Sequence, residues 1–467
     1  MKKNLFVTGI GFLLIGASII SACTKEGPMG PAGADGKDGT NGTNGTNGTD
    51  GTATCIQCHA PAVVELAATE YSLSKHNYGE AAFEECGNTG CTPCHASEAF
   101  LYVVKNNVSS AFIPNPDPTK PGKWINGYNT IPTQSIGAIT CVTCHSSLHT
   151  TYTTADLSPL TTVAPVAMSM WGGAKTIDLA GDGHIGNLCV KCHQPRPFSN
   201  SNTNGNVLNY DSLKNFPTVV FYDAAQANGL NKIKPSYRTH THYGTAGAVY
   251  AGVGGVEFGT GYSNSPHTAA ASCQDCHMAE QTNRVGGHTF RVRAEGPLTS
   301  SSTWNFKGCN VTGCHSAAPL DANSPKFKDT RASVKSKLDA LAAKLKIGGV
   351  DILNRNPDTE SNLWAGITTN NYDGYLNIYD PINNPDGPTN NPTVFQSPSP
   401  GKLIGTTGGT WTQAQIDYNL TLPKITLTNA QMGAIINFQL CLREYSLGIH
   451  NTNYSKILLD NTIAALP

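Results

Sequence analysis

Five copies of Cys-x-x-Cys-His punctuate this 467-residue chain, at 55–59, 91–95, 141–145, 189–193 and 273–277. Two thiols three residues apart can both bond to vinyl groups on one edge of a porphyrin, and the histidine that follows can turn under the ring to bind its iron. The pattern is the attachment signature of c-type haem. The chain has 15 Cys and 14 His, and such a composition would give only on the order of 0.01 such motifs by chance. The expected thioether residues are Cys55, Cys58, Cys91, Cys94, Cys141, Cys144, Cys189, Cys192, Cys273 and Cys276. The expected proximal iron ligands are His59, His95, His145, His193 and His277. Paired Cys-x-x-Cys units could also build zinc sites, but a histidine directly after the second cysteine in all five copies favours haem.

A sixth site is irregular. Cys309 and Cys314 are separated by four residues, and His315 follows. This resembles the expanded attachment motif of some small tetrahaem cytochromes; the competing readings are a local disulfide or two free thiols. Six haems would use twelve cysteines and leave Cys23, Cys86 and Cys441. Cys86 and Cys441 could pair in an oxidising compartment or remain free.

Each iron has a second axial position. Eight histidines lie outside the motifs: His76, His149, His184, His240, His242, His267, His288 and His450. His240 and His242 are two apart, so one of them, taken as His242, is expected to bind iron. The candidate distal ligands are therefore His76, His149, His184, His242, His267, His288 and His450. Met278 adjoins His277 and cannot reach the opposite face of the same haem.

The segment 266–278, which holds His267 and the fifth motif, together with Gly287-His288, resembles a stretch of the pentahaem cytochrome c nitrite reductases. It is also similar to related multihaem cytochromes of the nitrite reductase and hydroxylamine oxidoreductase superfamily. The end of the chain, Ser446-Leu-Gly-Ile-His450-Asn451-Thr-Asn-Tyr454, resembles that superfamily's C-terminal Gly-x-His-Asn-Pro junction, with Thr452 in place of proline. The resemblance covers about 180–320 and 430–467, and it implies distal-ligand roles for His267, His288 and His450. The catalytic haem of such nitrite reductases is held by Cys-x-x-Cys-Lys, and this chain has no such motif. The first expectation is therefore an electron carrier with histidine on both faces of each iron. The alternative is an oxidoreductase acting on nitrite, hydroxylamine or a related nitrogen compound at one five-coordinate haem, with His184, Arg196 and Tyr243 as pocket residues.

The elements that must position these groups are only partly legible. Lys2 and Lys3 precede an apolar run over 5–20, as in an export signal. Ile20-Ser21-Ala22-Cys23 resembles a bacterial lipobox, which makes Cys23 the expected lipidated residue, and Thr24 in place of Asp looks like an outer-membrane sorting signal. Glycine at every third position over 27–51 is collagen-like; it reads as a hydrophilic stalk reaching up to about 80 Å if extended, or as a trimerising segment. The expected division is a leader (1–22), lipidated cysteine and stalk (23–52), a multihaem cytochrome c domain (53–320), and a haemless C-terminal helical region with an Asn/Pro/Gly-rich insertion (321–467).

The expected fold is mainly α with extensive irregular loops, packed around covalently bound haems. Helices are expected over 60–75, 330–346, from Thr428 to about 445, and over 454–466, with a few strands over 402–425. A hydrophobic fraction of only 39% and 76 Gly plus Pro (48 + 28) suit a core partly supplied by porphyrin. The net charge of −1 argues against a nucleic-acid partner. The implied partners are other cytochromes, an outer-membrane electron conduit or extracellular acceptors, with the membrane reached through the lipid anchor. A homo-oligomer could form through the Gly-x-y tract or the C-terminal helices.

Overall fold

The computed structural model describes residues 55, 57–78, 90–132, 137–196, 201–203, 210–222, 241–242, 244–294, 304–347, 350–355, 372–376 and 426–467. The leader, Cys23, the Gly-x-y tract, Cys86, His240, Tyr243 and the strands expected over 402–425 lie outside the described residues. The described residues all belong to one compact unit, Thr52–Pro467. The boundary drawn at 320 therefore runs through the interior of that unit, and the haemless C-terminal part packs with the motif-bearing part.

After the first motif the chain makes a wide helical turn at Pro61–Glu65, with proline at its start where a missing N–H costs nothing. It continues into α1 (Leu66–Ser72) and the short α2 (Lys75–Tyr78). This matches the helix expected over 60–75. Its first turn buries no residue and α1 buries only Glu70. The second motif forms α3 (Thr92–His95) and leads into α4 (Ser97–Lys105), whose Ala99, Phe100 and Val103 point inward. The third motif falls on α5 (Cys141–Cys144), the fourth begins at the end of α6 (Gly186–Val190) and runs into the turn after it, and the fifth falls on α9 (Cys273–His277). Between the last two lie α7 (Ala246–Ala251) and α8 (His267–Ala270).

Three longer helices close the chain: α10 (Pro325–Lys344), α11 (Asn429–Arg443) and α12 (Thr452–Ala465). The first begins five residues earlier than its apolar spacing predicts, because Pro325 opens the helix while Lys326 and Lys328 interrupt the pattern. The expected cap of the second is present. Thr428 Oγ1 accepts from Gln431 N–H at 3.2 Å and Gln431 Oε1 accepts from Thr428 N–H at 2.9 Å, a reciprocal capping box. Asn451 caps the third, accepting from Tyr454 N–H at 3.2 Å.

Sheet is sparse among the described residues. One antiparallel sheet joins Phe112–Pro114, Lys123–Asn126 and Ser201–Thr203. Short ribbons elsewhere include Val220–Tyr222 with Leu427–Thr428, which ties mid-chain to the start of α11. The main core gathers Met168, Met170, Val190, Val249, Leu338, Ile435, Phe438, Leu458 and their neighbours. Helix α11 is buried on every side, so its polar residues must find partners inside. Asn437 does so: Oδ1 accepts from Val256 N–H at 2.7 Å, and Nδ2 donates to Val256 O and Thr462 Oγ1. No helix among the described residues is long and apolar enough to cross a membrane.

Candidate functional site

One turn of helix puts residues i and i+3 on the same face, which is what two thioether bonds to one ring edge require. Three of the turns are closed by a backbone hydrogen bond onto the first cysteine. His95, His145 and His193 donate their backbone N–H to the carbonyls of Cys91, Cys141 and Cys189 at 3.1, 2.9 and 2.9 Å. Two turns carry their own caps. Thr140 N–H donates to Thr143 Oγ1 at 2.9 Å, and Ser272 N–H donates to Asp275 Oδ2 at 2.8 Å. The irregular sixth site ends in the same closure: His315 N–H donates to Cys309 O at 3.1 Å. The two additional residues are absorbed in a loop in which Gly313 has a left-handed φ of 88°. The histidine thus returns to the position relative to the first cysteine that it holds in the regular motifs.

All six motif histidines face a histidine from outside the motifs. Ring centres are 5.9 Å apart for His59 and His149, 6.4 Å for His95 and His242, and 6.4 Å for His145 and His288. They are 5.9 Å apart for His193 and His76, 6.1 Å for His277 and His450, and 6.2 Å for His315 and His267. A metal bonded at about 2 Å to a nitrogen of each imidazole, with about 1 Å more to each ring centre, would hold two such rings about 6 Å apart. The residues therefore fit an iron between each pair. Among the described residues no group of three or more His, Cys, Asp or Glu is arranged to hold a metal ion. Two imidazoles per site suit a metal whose other four ligands come from a porphyrin.

The C-terminal helices position three of these second histidines. Gln439 Oε1 accepts from Thr241 N–H at 2.8 Å, and the Arg443 guanidinium donates to Thr241 O, which fixes the backbone next to His242. Asn451 Oδ1 accepts from Ser265 N–H at 2.9 Å and its amide donates to Asn264 Oδ1 at 2.8 Å, joining the His450 loop to the turn that carries His267. Tyr250 OH donates to His267 O at 2.7 Å, and His267 Nδ1 lies 3.3 Å from Ile449 O.

Carboxylates meet two of the second histidines. His450 Nδ1 lies 2.6 Å from Glu444 Oε2, and Glu444 is buried. Burial opposes its charge, but hydrogen bonds from His450, Ser446 and Gly448 hold its carboxyl below the usual range. Glu70 Oε2 accepts from His288 N–H at 2.7 Å, while His288 Nδ1 is 3.6 Å away. A Cβ at Gly287 would lie 2.2 Å from that Glu70 oxygen, so only glycine lets the carboxylate approach.

The sites adjoin one another. Phe290 contacts the rings of His76 at 4.9 Å and His288 at 5.8 Å, and its carbonyl accepts from His277 Nδ1 at 2.9 Å. The second and fourth motifs meet where Cys94 Sγ lies 3.8 Å from Lys191 O. His193 is surrounded by many protein atoms although the residue keeps exposed surface. It is pushed down to about 3, first by burial and then by the nearby imidazoles of His76, His277, His450 and His95. Burial likewise pushes Cys144 up to about 11 and Cys276 to about 12.

Of the seven candidate second ligands, His76, His149, His242, His267, His288 and His450 each stand opposite a motif histidine, and His184 does not. It is half-exposed and its Nδ1 lies 2.6 Å from Asp178 Oδ1. Arg196 Nη1 lies 3.4 Å from Cys91 Sγ, against the second motif. Cys441 is buried and free, and burial pushes its thiol up. Glu70, Phe290 and Glu444 were not singled out by spacing, since each meets its histidine partners through tertiary packing or an irregular loop. Gly287 was the one local signal, since a glycine directly before a ligand histidine marks close backbone approach. No protein-family model, curated protein or solved structure matches this chain.

Proposed function

We propose that this protein is a hexahaem c-type cytochrome that conducts electrons along a chain of haems, each iron held between two histidines. The observation that carries the reading is the pairing: six motif histidines, six facing histidines, and ring separations of 5.9–6.4 Å throughout. Bound haem supplies the one-electron iron chemistry. The chain's own residues fix ring orientation, hold neighbouring sites together and limit solvent access. The sites link into one connected array. His149 follows His145 by four residues, Phe290 joins the His288, His76 and His277 sites, and Cys276 lies near Cys309 and Cys314 of the sixth motif. The second motif joins at the Cys94–Lys191 contact, within the fourth.

The pairing also counts against the alternative of nitrite or hydroxylamine chemistry, which needs one iron with an open face. The absence of Cys-x-x-Cys-Lys from the sequence points the same way. Export and anchoring at the outer membrane or cell surface rest on the lipobox-like segment ending at Cys23 and on the attachment chemistry of c-type haem. Partners are then other cytochromes, an outer-membrane conduit or extracellular acceptors.

Pyridine haemochrome analysis of the purified protein tests the count, with six haems per chain expected. Electron paramagnetic resonance and magnetic circular dichroism test the ligation. Six low-spin ferric haems support the proposal; a high-spin haem together with nitrite or hydroxylamine turnover would refute it.

A further inference from the structure

The Glu444–His450 contact sets one site apart. Glu444 follows the last turn of α11, and its side chain is wholly removed from solvent. Oε2 meets His450 Nδ1 at 2.6 Å and accepts from Ser446 Oγ at 2.6 Å, while Oε1 accepts from Gly448 N–H at 2.8 Å. Every one of these partners can act as a donor, which is an environment for a carboxylate that accepts only. Ser446 Oγ in turn accepts from His450 N–H at 2.9 Å, so the same loop fixes the backbone and ring of His450. The loop is held at a conformational cost: Tyr445 and Leu447 have left-handed φ values of 63° and 56°. Non-glycine residues rarely adopt that region, and such strain persists where the surroundings enforce it.

At His277, His267, His288 and His145 the described surroundings of Nδ1 are weaker acceptors. His277 and His267 meet the neutral carbonyls of Phe290 and Ile449 at 2.9 and 3.3 Å. His288 is 3.6 Å from Glu70, beyond a good hydrogen bond. His145 Nδ1 has no hydrogen-bond partner among the described residues. A carboxylate bonded to the far nitrogen of a ligand imidazole fixes its tautomer and raises its basicity. A more basic, partly anionic ligand favours ferric over ferrous iron.

We propose that Glu444 is a positioning residue that holds His450 with Nε2 toward iron and lowers the reduction potential of the His277–His450 haem. This rests on the reading of His277 and His450 as the two axial ligands of one haem. That site lies between the sixth motif, through Cys276, and the His193–His76 site, through Phe290. A low-potential haem there places an uphill step between the His315 end and the rest of the array, so Glu444 governs how readily electrons cross.

The test is Glu444→Gln in the full haem-loaded protein, followed by potentiometric titration resolved by magnetic circular dichroism. One of the six potentials is expected to rise by at least a tenfold shift in its reduction equilibrium, roughly 59 mV for one electron. Haem content and the other five potentials should not change. Glu444→Asp, which keeps the charge but lengthens the contact, should give a smaller rise. Should neither variant fold, the wild-type protein provides the measurement: one haem with an imidazolate-type near-infrared charge-transfer band, distinct from the others. Six unchanged potentials in a folded variant, a uniform shift of all six, or no distinct band in the wild type would overturn the proposal. A wild-type protein lacking a bis-histidine haem at His277 would instead overturn the ligand reading beneath it.

Discussion

The orientation of each histidine pair carries a consequence that spectroscopy can read. The rings are within 12° of parallel at His59–His149 and within 20° at His277–His450. They are crossed by 74°, 72° and 75° at His193–His76, His95–His242 and His315–His267. Crossed ligand planes leave the two iron π orbitals nearly degenerate, while parallel planes split them. Frozen-solution paramagnetic resonance of the oxidised protein is therefore expected to show at least two classes of low-spin haem, with three centres in the large-g class. A single rhombic class would contradict these ring planes. His267→Ala removes the ring facing His315, and it is expected to convert one haem in six to a high-spin form that binds cyanide or nitric oxide. His184→Ala is expected to leave all six low-spin, because His184 meets Asp178 rather than a motif histidine.

At the scale of elements, α11 links the haemless part of the chain to the ligand set. It is buried all round, and Gln439, Arg443 and Asn437, with Glu444 just past its last turn, share hydrogen bonds with Thr241, Val256 and the His450 loop. Thr428→Ala removes the cap acceptor for Gln431 N–H, and a loss of about 1 kcal/mol in denaturant unfolding is expected. Asn437→Ala leaves the buried backbone of Val256 without its partners. A loss of about 1–3 kcal/mol for each group so stranded is expected from the desolvation cost. The helices over 60–75 and from Thr428 were legible because proline, capping residues and apolar spacing act within a few residues. The early start of α10 was less so, since its first turn exposes lysines and is placed by Pro325.

For the molecule as a whole, apolar burial is uneven. The main core draws on residues from Val166 to Leu466, whereas the segment after the first motif buries almost no apolar side chain. Protein made without haem attachment should therefore lose order first at 55–78. Limited proteolysis is expected to cut there while fragments carrying the C-terminal core persist; equal cleavage throughout would count against this. Cys23→Ser is expected to release the protein from membranes, and metabolic labelling with a radioactive fatty acid should mark the wild type only.

The sequence by itself carries the proposed attachment chemistry. Thioether bonds to one ring edge and a histidine beneath it are local demands, so the spacing within each motif states them outright, and the terminal Cys314-His315 pair carried them through the irregular case. It also supplied the pool of second ligands. Only the tertiary structure decided which histidine faces which: the partners of His59, His193 and His277 lie 90 residues or more away in the chain. Buried polar residues fix the segments that carry His242, His267 and His450: Gln439 accepts from Thr241 N–H, Asn451 accepts from Ser265 N–H, and Glu444 meets His450 Nδ1. No spacing rule encodes a contact of that kind, because its geometry is set by how the helices pack.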